Sequence, residues 1–398
     1  MRILQITNRV PYPPKDGGAI GYYNFTKSYF MHHCSLTLLA MNTSKHYIDI
    51  SKLPDDFTCF AKIHAVNVDT KVKPFNAFIN LFSGKSYNTS RFENKNFRNK
   101  LIEILINNTF DIIHLDSLFV SMYIETIRMY SEAKIVMRAH NVEHLIWERI
   151  ADNECKPLKK WYFSLLAKKL KTYEKERINK VDLLLPISEI DKKYFAGLGC
   201  NTKQYVIPAG IHVDNVISDN SMLEYPSLFH LGSLDWIPNL QALKWFIDEI
   251  WPLVNDKFPG LNFYIAGKNT PKWLMEINSP GIIVSGEVEN ATDFMNRKAI
   301  MVVPLLSGSG MRLKIIEGMA LGKTIISTSV GAEGIEYTRD KEIIIADTPQ
   351  EFLSAIEKCM NDKKYFEEIG QNAQQLSHLK YDNFKLVGRL LDFYKTIM

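Results

Sequence analysis

Residues 307–322 combine four glycines, two cations and one carboxylate within one short run. The run reads Ser307-Gly308-Ser309-Gly310-Met311-Arg312-Leu313-Lys314-Ile315-Ile316-Glu317-Gly318-Met319-Ala320-Leu321-Gly322. An apolar segment, residues 299–304, precedes it and is typical of a buried parallel strand, while a helical pattern follows. The glycines are therefore expected in a strand-to-helix turn, where unpaired backbone N–H groups and the positive helix end attract an anion. This layout predicts a diphosphate site.

The charged residues of this run are expected to face a ligand. Arg312 can fork onto phosphate oxygens and Lys314 can act as a point charge, which suits a leaving group that gains negative charge. Glu317 could accept hydrogen bonds from a ribose diol. The apolar residues share another helical face and are expected to pack on the sheet, namely Leu313, Ile316 and Ala320.

Two other interpretations of the run involve no ligand. Arg312 and Lys314 could belong to a solvated helix start, and Glu317 could pair with Lys314 on the neighbouring turn. The spacing fits neither of two common phosphate motifs. No Gly-Lys-Ser/Thr sequence closes a P-loop, and the third glycine of the dinucleotide fingerprint is missing.

Composition places the chain among globular proteins with two domains. Its 398 residues suffice for two cores, and 46% hydrophobic with 23% charged residues is not a disordered composition. A net charge of +4 gives no overall field for nucleic acid, so no nucleic-acid partner is expected. The chain starts directly in a strand-like run and has no apolar stretch of membrane-spanning length, which predicts a cytoplasmic protein. The five cysteines form no C-x-x-C pair, which argues against structural zinc.

Apolar runs alternate with helical patterns along the chain, which predicts parallel sheets wrapped by helices. The expected strands are residues 2–7, 35–41, 62–66, 111–115, 134–138, 182–186 and 204–208, and then 227–231, 261–266, 281–285, 299–303, 324–327 and 342–346. A polar stretch without period, residues 210–222, suits a linker between the two series. The pattern predicts two doubly wound α/β domains, 1–212 and 213–380, with a helix over 381–398 that packs back on the first domain. Ligands of such sheets lie beyond the carboxyl ends of the strands.

Several short motifs occur in a fixed order along nearly the whole chain. They are Pro14-Lys15-Asp16-Gly17-Gly18, Met137-Arg138-Ala139-His140-Asn141, Leu185-Pro186-Ile187-Ser188, Val206-Ile207-Pro208-Ala209-Gly210-Ile211, His230-Leu231-Gly232-Ser233-Leu234-Asp235-Trp236-Ile237-Pro238-Asn239, Tyr264-Ile265-Ala266-Gly267-Lys268, Ser285-Gly286-Glu287-Val288, and the run 307–322. In this order the chain resembles the retaining GT-B glycosyltransferases of glycosyltransferase family 4, also called group 1. The resemblance implies two Rossmann-like domains that face each other across a cleft. The first would bind the acceptor and the second a nucleotide-sugar.

The resemblance also implies roles for individual residues. Arg312, Lys314 and His140 would act in catalysis, and Asp16 would contact the acceptor. The donor would be bound by Gly17, Gly18, Gly232, Gly267, Val288, Gly308, Ser309, Gly310, Met311 and Glu317.

Some of these residues have simpler interpretations from the sequence alone. Gly17 and Gly18 could form an ordinary tight turn, and His140 could be a histidine at the edge of the core. Asn141 is expected to cap the helix that follows it. His140 and His144 form an H-x3-H pair, but no third ligand is nearby, so no metal is expected.

The chain departs from the family in two places. Ser309 stands at the first of two family glutamates, and only the second, Glu317, is present. The Arg and Lys that many members carry after the first strand of the second domain are replaced by Ser233-Leu234-Asp235-Trp236. Arg312 and Lys314 would then supply the missing positive charge, which a departing diphosphate needs in a low-dielectric site.

The resulting functional hypothesis is a retaining, metal-independent hexosyltransferase without a cofactor. It would use a UDP- or GDP-linked sugar and a glycan or lipid-linked acceptor, in cell-surface polysaccharide or glycoconjugate synthesis. Two basic and aromatic stretches, 71–82 and 159–171, could hold it against an anionic membrane, or could equally be helices with an aromatic core face. Alternatives are a non-catalytic GT-B partner subunit and a nucleotide-sugar epimerase or hydrolase of the same fold. The sequence leaves the donor sugar, the base, the acceptor and the oligomeric state open.

Overall fold

The computed structural model describes residues 1–14, 17–71, 80, 86–308 and 310–398. Asp16 and Ser309, which have expected roles, lie outside the described residues. So does most of the basic and aromatic stretch 71–82.

The described residues form two six-stranded parallel sheets. The first contains β1 (Arg2–Thr7), β2 (Ser35–Thr43), β3 (Lys62–Val68), β4 (Ile112–Leu115), β5 (Lys134–Ala139) and β6 (Leu183–Pro186). The second contains β7 (Glu224–Leu231), β8 (Phe263–Ala266), β9 (Ile282–Gly286), β10 (Lys298–Val303), β11 (Thr324–Ser327) and β12 (Ile344–Ile345). Most central strands are buried over nearly their whole length, because helices cover both faces of a doubly wound sheet.

The prediction of a regular strand at residues 204–208 is wrong. The segment runs beside β6 and forms backbone hydrogen bonds from Tyr205 to Leu184 and from Ile207 to Pro186, of 3.0 and 2.9 Å. Pro186 has no N–H to donate in return, so the ladder is interrupted and only a bridge at Gln204 remains.

The longer helices flank these sheets. They are α1 (Gly17–Met31), α2 (Lys95–Asn107), α3 (Ile124–Tyr130), α4 (Glu143–Asp152), α5 (Pro157–Ile178), α6 (Glu189–Gly197), α7 (Ile237–Trp245), α8 (Trp251–Lys257), α9 (Ala291–Asn296), α10 (Leu313–Ala320), α11 (Pro349–Asn361), α12 (Lys363–Lys380) and α13 (Asn383–Lys395). Single helical turns occur at Asp55–Thr58, Tyr87–Ser90 and Lys272–Met275. Short 3-10 turns occur at Ile50–Lys52, Leu118–Tyr123 and Val213–Asn215, and a π-helical segment, Phe246–Ile250, joins α7 to α8.

Two compact units divide the chain. The first comprises Met1–Ala209, Ser309–Met311 and Asn383–Met398, and the second comprises Gly210–Gly308 and Arg312–Asp382. The sequence placed the corresponding boundaries after residues 212 and 380. The polar stretch 210–222 thus belongs to the second unit.

The last helix, α13, is part of the first unit. Its buried residues join a cluster with Ile3 and Phe25, and they are Leu386, Val387, Leu390, Leu391 and Tyr394. The side-chain amide of Asn383 donates to the Asn24 carbonyl at 2.8 Å and to the Ser28 hydroxyl at 2.7 Å. Helix α13 therefore covers one face of the first sheet, although it lies more than 350 residues from Asn24 and Ser28 in the sequence.

Both sheets repeat one strand order. The first runs β3-β2-β1-β4-β5-β6 and the second β12-β11-β10-β7-β8-β9, so each has the order 3-2-1-4-5-6 when counted from its own first strand. In this order the connections diverge at β1/β4 and at β7/β10, which opens a crevice beyond the carboxyl ends of these strands. Each unit thus has one such switch point where a ligand can bind.

Within the described part of the chain, no helix has the length and apolarity needed to cross a bilayer.

We expect Leu390→Ala to destabilise the first unit by about 2–5 kcal/mol, because Leu390 is fully buried in the cluster that joins α13 to the sheet. Lys395→Ala on the same helix should change stability by no more than about 0.5 kcal/mol, because Lys395 is exposed and pairs only with Asp392. Guanidinium unfolding measures both variants. Equal unfolding midpoints would show that α13 does not stabilise this unit.

Candidate functional site

The loop after β10 leads into α10, and its last residue caps that helix. Arg312 has extended backbone angles, φ −91° and ψ 95°, and the helix follows from Leu313. Leu313, Ile316 and Ala320 are buried as predicted, and so are Ile315, Gly318 and Met319. Lys314 and Glu317 are the partly exposed residues of this helix. The buried face of α10 is therefore separate from the face that carries Lys314 and Glu317.

Arg312 lies beneath the loop beside an aromatic ring. Its side chain is buried, and its guanidinium carbon is 5.8 Å from the centre of the Trp236 ring. Gly308 has φ +121°, and a Cβ there would come within 2.6 Å of Nη2 of Arg312. Glycine at this position leaves room for the guanidinium and accommodates a backbone conformation that L side chains rarely adopt.

Lys314 is held by two neutral acceptors. Its Nζ lies 3.2 Å from Oδ1 of Asn239 and 3.4 Å from Nε2 of His230. Nδ1 of His230 is 3.0 Å from the Val302 carbonyl, so Nδ1 carries the proton and Nε2 is the acceptor. Among the residues that the structure describes, no carboxylate forms an ion pair with Lys314, and Glu317 is not its partner.

Burial shifts the protonation of three groups here. Burial, and then the nearby Arg312, lower the pKa of Lys314 to about 7. Burial raises the pKa of Glu317 to about 7. Burial and the Lys314 charge keep the pKa of His230 well below its usual value, so this imidazole is neutral. Charge on Lys314 is thus costly until an anion binds nearby.

Glycines end three adjacent strands beside Lys314. The backbone N–H of Gly232 donates to Ala266 at 3.1 Å, and that of Gly267 donates to Gly286 at 2.7 Å. A Cβ on Gly232 would lie 3.3 Å from Nζ of Lys314. Gly267 has φ +158°, and a Cβ there would lie 1.7 Å from the Gly232 carbonyl oxygen. Gly232, Gly267 and Gly286 therefore form a floor of glycines, which is a surface of backbone without side chains at the ends of β7, β8 and β9.

The other expected donor-binding residues lie at loop and helix starts. Val288 is partly buried in the loop between β9 and α9. Gly17 and Gly18 lie in the first turn of α1, where the backbone N–H groups have no partner within the helix itself. In the first unit, Gly310 has φ +76°, and a Cβ there would come within 2.4 Å of the His140 carbonyl oxygen. Met311 is buried beside it.

His140 lies at the carboxyl end of β5 and is bonded to a carboxylate. Its Nε2 is 2.6 Å from Oδ1 of Asp116, which follows β4 and is fully buried. His144 belongs to a different pair, because its Nδ1 is 2.6 Å from Oε2 of Glu174. The two histidines of the H-x3-H pair thus have separate partners.

The expected cap at Asn141 is wrong. Helix α4 starts at Glu143, and Val142 precedes it without a side-chain cap. The Glu174 carboxylate from α5 accepts the backbone N–H groups of Glu143 and His144 at 2.9 and 3.2 Å instead. A carboxylate bound to the positive helix end performs the capping role from a distant element.

Four residues of these two sites received no role from the sequence. His230, Trp236 and Asn239 fall inside a quoted motif, and their proximity to Lys314 and Arg312 arises only from the folded sheet. Asp116 carried one usable signal, since it directly follows a buried strand next to β1. A polar residue at that edge is a candidate on topology alone.

Comparison with known proteins gives a family match within the second unit. Residues 225–362 match the family described as "Glycosyl transferases group 1". A Klebsiella pneumoniae protein, described as an uncharacterized 44.6 kDa protein in the cps region, is 26% identical over 308 residues, 74% of this chain and 76% of that protein.

Solved structures of glycosyltransferases share the fold along the whole chain. Sucrose-phosphate synthase from Thermosynechococcus elongatus has a TM-score of 0.73 at 12% identity, covering 100% of this chain and 99% of that one. HepE of Anabaena in complex with UDP-glucose has a TM-score of 0.67 at 12% identity, with full coverage of both chains. TarM of S. aureus, in complex with Fondaparinux, alpha-GlcNAc-glycerol and UDP, has 0.68 at 10% identity and covers 99% of each chain.

These similarities confirm the predicted fold class, GT-B with two Rossmann-like doubly wound domains. Together with the family match, they support a GT-B glycosyltransferase.

Lys314 gives a pH-dependent test of the anion site. Inorganic pyrophosphate should bind wild type more tightly than Lys314→Met, and this advantage should shrink between roughly pH 6 and roughly pH 8.5, because the free Lys314 ammonium loses its proton near pH 7. Isothermal titration calorimetry measures pyrophosphate binding to both proteins. Because pyrophosphate changes its own protonation equally in both experiments, that effect cancels in the comparison. Lys244→Met, which removes an exposed lysine of α7, should match wild type. A constant advantage across this range would contradict the role of Lys314 charge.

Proposed function

We propose that the protein is a retaining, metal-independent hexosyltransferase. It would transfer a sugar from a UDP- or GDP-linked donor to a glycan or lipid-linked acceptor, with no further cofactor. Its place would be the cytoplasm, in the synthesis of cell-surface polysaccharide or glycoconjugate. The family match, the shared fold and a relative from a cps region support this assignment.

One observation carries the proposal: Lys314 is only partly exposed, and within the described part of the chain its two acceptors, His230 and Asn239, are both neutral. It lies at the carboxyl edge of β7 and β10, where the second sheet opens its crevice. Arg312 is close enough to lower the pKa of Lys314, so two cations act on the same region. A diphosphate bound there would supply the missing negative charge.

The same two cations would drive the chemical step. When the sugar–phosphate bond breaks, charge develops on the diphosphate, and preorganised cations stabilise that charge more than the ground state. Because Arg312 and Lys314 provide this stabilisation, the proposed transfer needs no divalent metal. Activity that is unchanged by EDTA supports this part of the proposal, and a strict metal requirement contradicts it.

The remaining donor contacts would come from backbone groups and from one carboxyl group. The ribose would bind the Glu317 carboxyl, and the base would lie near Gly267 and Val288. Gly17 and Gly18 would offer backbone N–H groups to the donor phosphate. Gly308, Gly310 and Met311 would present backbone to the sugar, together with Ser309.

Structural neighbours make a nucleotide-sugar donor reasonable. HepE of Anabaena is described with UDP and with UDP-glucose, and an E. coli protein with UDP-2-fluoro glucose. We carry the nucleotide-sugar class over to this chain as a proposal, and we leave the base and the sugar open.

Arg312→Ala should lower kcat about 10²–10³-fold, the usual loss when one preorganised donor to a developing charge is removed. Arg297→Ala is a matched control, because Arg297 is exposed and directly precedes β10 at the opposite edge of the sheet. The measurement is turnover of a donor found by thermal-shift screening of nucleotide-sugars. Turnover of Arg312→Ala close to that of Arg297→Ala would refute the assigned role.

A lipid-linked acceptor would place the first unit near a membrane, and α5 offers a surface for this. Every residue of Pro157–Trp161, its first turn, is exposed, with Leu158 84% and Trp161 60% exposed on one helical face. Lysines flank them at positions 156, 159 and 160. Phe163 points elsewhere and packs on Trp147 at 5.8 Å. Apolar side chains beside lysines suit an anionic bilayer.

The double variant Leu158→Ser, Trp161→Ser should bind vesicles of phosphatidylglycerol at least about tenfold more weakly than wild type, since both exposed apolar side chains lose their insertion energy. Leu379→Ser, at a 74% exposed leucine of α12, is the control and should bind normally. Vesicle flotation measures binding, with phosphatidylcholine vesicles as the neutral comparison. Absence of wild-type binding to acidic vesicles would end the membrane proposal.

A further inference from the structure

A pocket of about 480 Å³ lies within the first unit, lined by residues of α4, α5 and α6. Its volume is in the usual range for small-molecule sites. None of its described lining residues has a role in the proposed transfer reaction. The pocket is therefore a candidate for a second binding site, and its chemistry depends on one histidine, four hydrophobic residues and one lysine.

The histidine of the pocket donates one ring N–H to a buried carboxylate. Nδ1 of His144 lies 2.6 Å from Oε2 of Glu174, and the His144 side chain is 6% exposed. The Glu174 carboxylate also accepts the backbone N–H groups of Glu143 and His144 at the start of α4. A carboxylate that accepts three N–H groups needs no proton of its own, so the proton of the neutral imidazole is on Nδ1.

The other ring nitrogen of His144 is available to a ligand. Nε2 has no hydrogen-bond partner within the part of the chain that the structure describes. Because the Nδ1 edge of the ring contacts Glu174, the pocket is lined by the edge that carries Nε2. With the proton on Nδ1, Nε2 of the neutral ring can only accept a hydrogen bond. A ligand must therefore supply an O–H or N–H donor at this point.

Hydrophobic side chains form the walls of the pocket. Leu198 is buried and Leu145 is partly buried. Ile190 and Tyr194 lie four positions apart on one face of α6 and are 40% and 39% exposed. A ligand with an apolar body would cover the exposed parts of Ile190 and Tyr194, and this burial favours binding.

The lysine that lacks an ion pair gives the pocket a positive charge. Lys193 of α6 is exposed and forms no ion pair among the residues that the structure describes. The other lysine of the pocket, Lys171 of α5, pairs with Glu148 at 2.9 Å. An acidic group of a ligand can therefore pair with Lys193 without displacing an existing ion pair, and the attraction is modest because Lys193 is exposed.

We propose that this pocket binds a small acidic molecule that has an apolar body and a hydroxyl group. The hydroxyl donates to Nε2 of His144, and the acidic group pairs with Lys193. The apolar body covers Ile190 and Tyr194. Glu174 is a positioning residue, because its hydrogen bond determines which nitrogen of the imidazole accepts. This inference goes beyond the proposed transferase function and does not depend on it.

Isothermal titration calorimetry of the full chain with 4-hydroxybenzoate, benzoate and phenol tests the inference. We expect 4-hydroxybenzoate to bind about tenfold more tightly than benzoate, because only the hydroxylated acid supplies a donor to Nε2 of His144. Phenol lacks the acidic group and should bind about threefold more weakly than 4-hydroxybenzoate, since an exposed ion pair contributes little. Equal affinities for 4-hydroxybenzoate and benzoate, or no binding of either, would overturn the inference.

Gly197→Leu should block the pocket without disturbing the core. Gly197 is the last residue of α6 and lines the pocket, and a Cβ there would meet no atom within 4 Å. Leucine also has a higher helix propensity than glycine, so the variant should be no less stable than wild type. It should bind 4-hydroxybenzoate at least about tenfold more weakly, because leucine occupies the space of the apolar body. Wild-type affinity in this variant would place the ligand elsewhere and contradict the proposal.

Two neighbouring lysines of α6 separate a specific ion pair from a general effect of charge. Lys193→Met should remove the advantage of 4-hydroxybenzoate over phenol. Lys192→Met is the matched control, because Lys192 pairs with Glu189 at 3.3 Å and does not line the pocket, and it should leave this advantage unchanged. An equal effect of both variants would refute the assigned role of Lys193.

Nitrogen-15 NMR of the histidine rings monitors the contact at Nε2 directly. The free protein should show the Nδ1–H form of His144, and His144→Phe identifies its signals by their absence. Addition of 4-hydroxybenzoate should shift the Nε2 resonance, whereas benzoate should not. A free ring that carries its proton on Nε2, or an Nε2 resonance that 4-hydroxybenzoate leaves unchanged, would overturn the inference.

Discussion

The proposed site of the second unit depends on the positive charge of Lys314, which forms no ion pair with a carboxylate among the residues that the structure describes. Lys314 lies beneath the strand ends with His230 and Asn239 as its acceptors, and both are neutral. Removing an ammonium group from water costs several kcal/mol unless it is paired, and the lowered pKa expresses that cost. Six of the eight residues of α10 are buried, and Lys314 and Glu317 are its two partly exposed residues. An anion bound beside Lys314 would remove this penalty, which is the physical basis of the proposed diphosphate site.

The first unit uses the same topology with the opposite sign of charge. Both sheets have the order 3-2-1-4-5-6, and both bring polar residues to the edge where the connections diverge. In the second unit that edge carries Lys314, whereas in the first it carries Asp116 beneath His140. One architecture thus positions a lysine at this edge in one unit and a buried carboxylate bonded to an imidazole in the other.

Local patterns predicted the sheets well, because strands buried on both faces appear as continuous apolar runs. Twelve of the expected strands are present, and the failure at 204–208 comes from a missing N–H on Pro186, which lies in a different strand. The roles of Arg312 and Lys314 were inferred from their spacing and remain a proposal, although the residues around them are now known. The capping prediction for Asn141 used only neighbouring residues, whereas the helix is capped by Glu174, which lies 31 positions beyond Glu143. The hydrogen bond between Asp116 and His140 joins residues that are 24 positions apart and lie at the ends of two strands, so no local pattern indicates it.

The floor of glycines has a consequence for how such proteins diverge. Gly267 cannot accept even a methyl group, because a Cβ there would lie 1.7 Å from the backbone carbonyl oxygen of Gly232, whereas a Cβ on Gly232 would displace the ends of the Asn239 and Lys314 side chains. Recognition that relies on these strand ends is therefore recognition by main chain, which is the same for every sequence. For the proposed donor site, differences in selectivity between related proteins are therefore expected to come from neighbouring loops, such as the one that carries Val288.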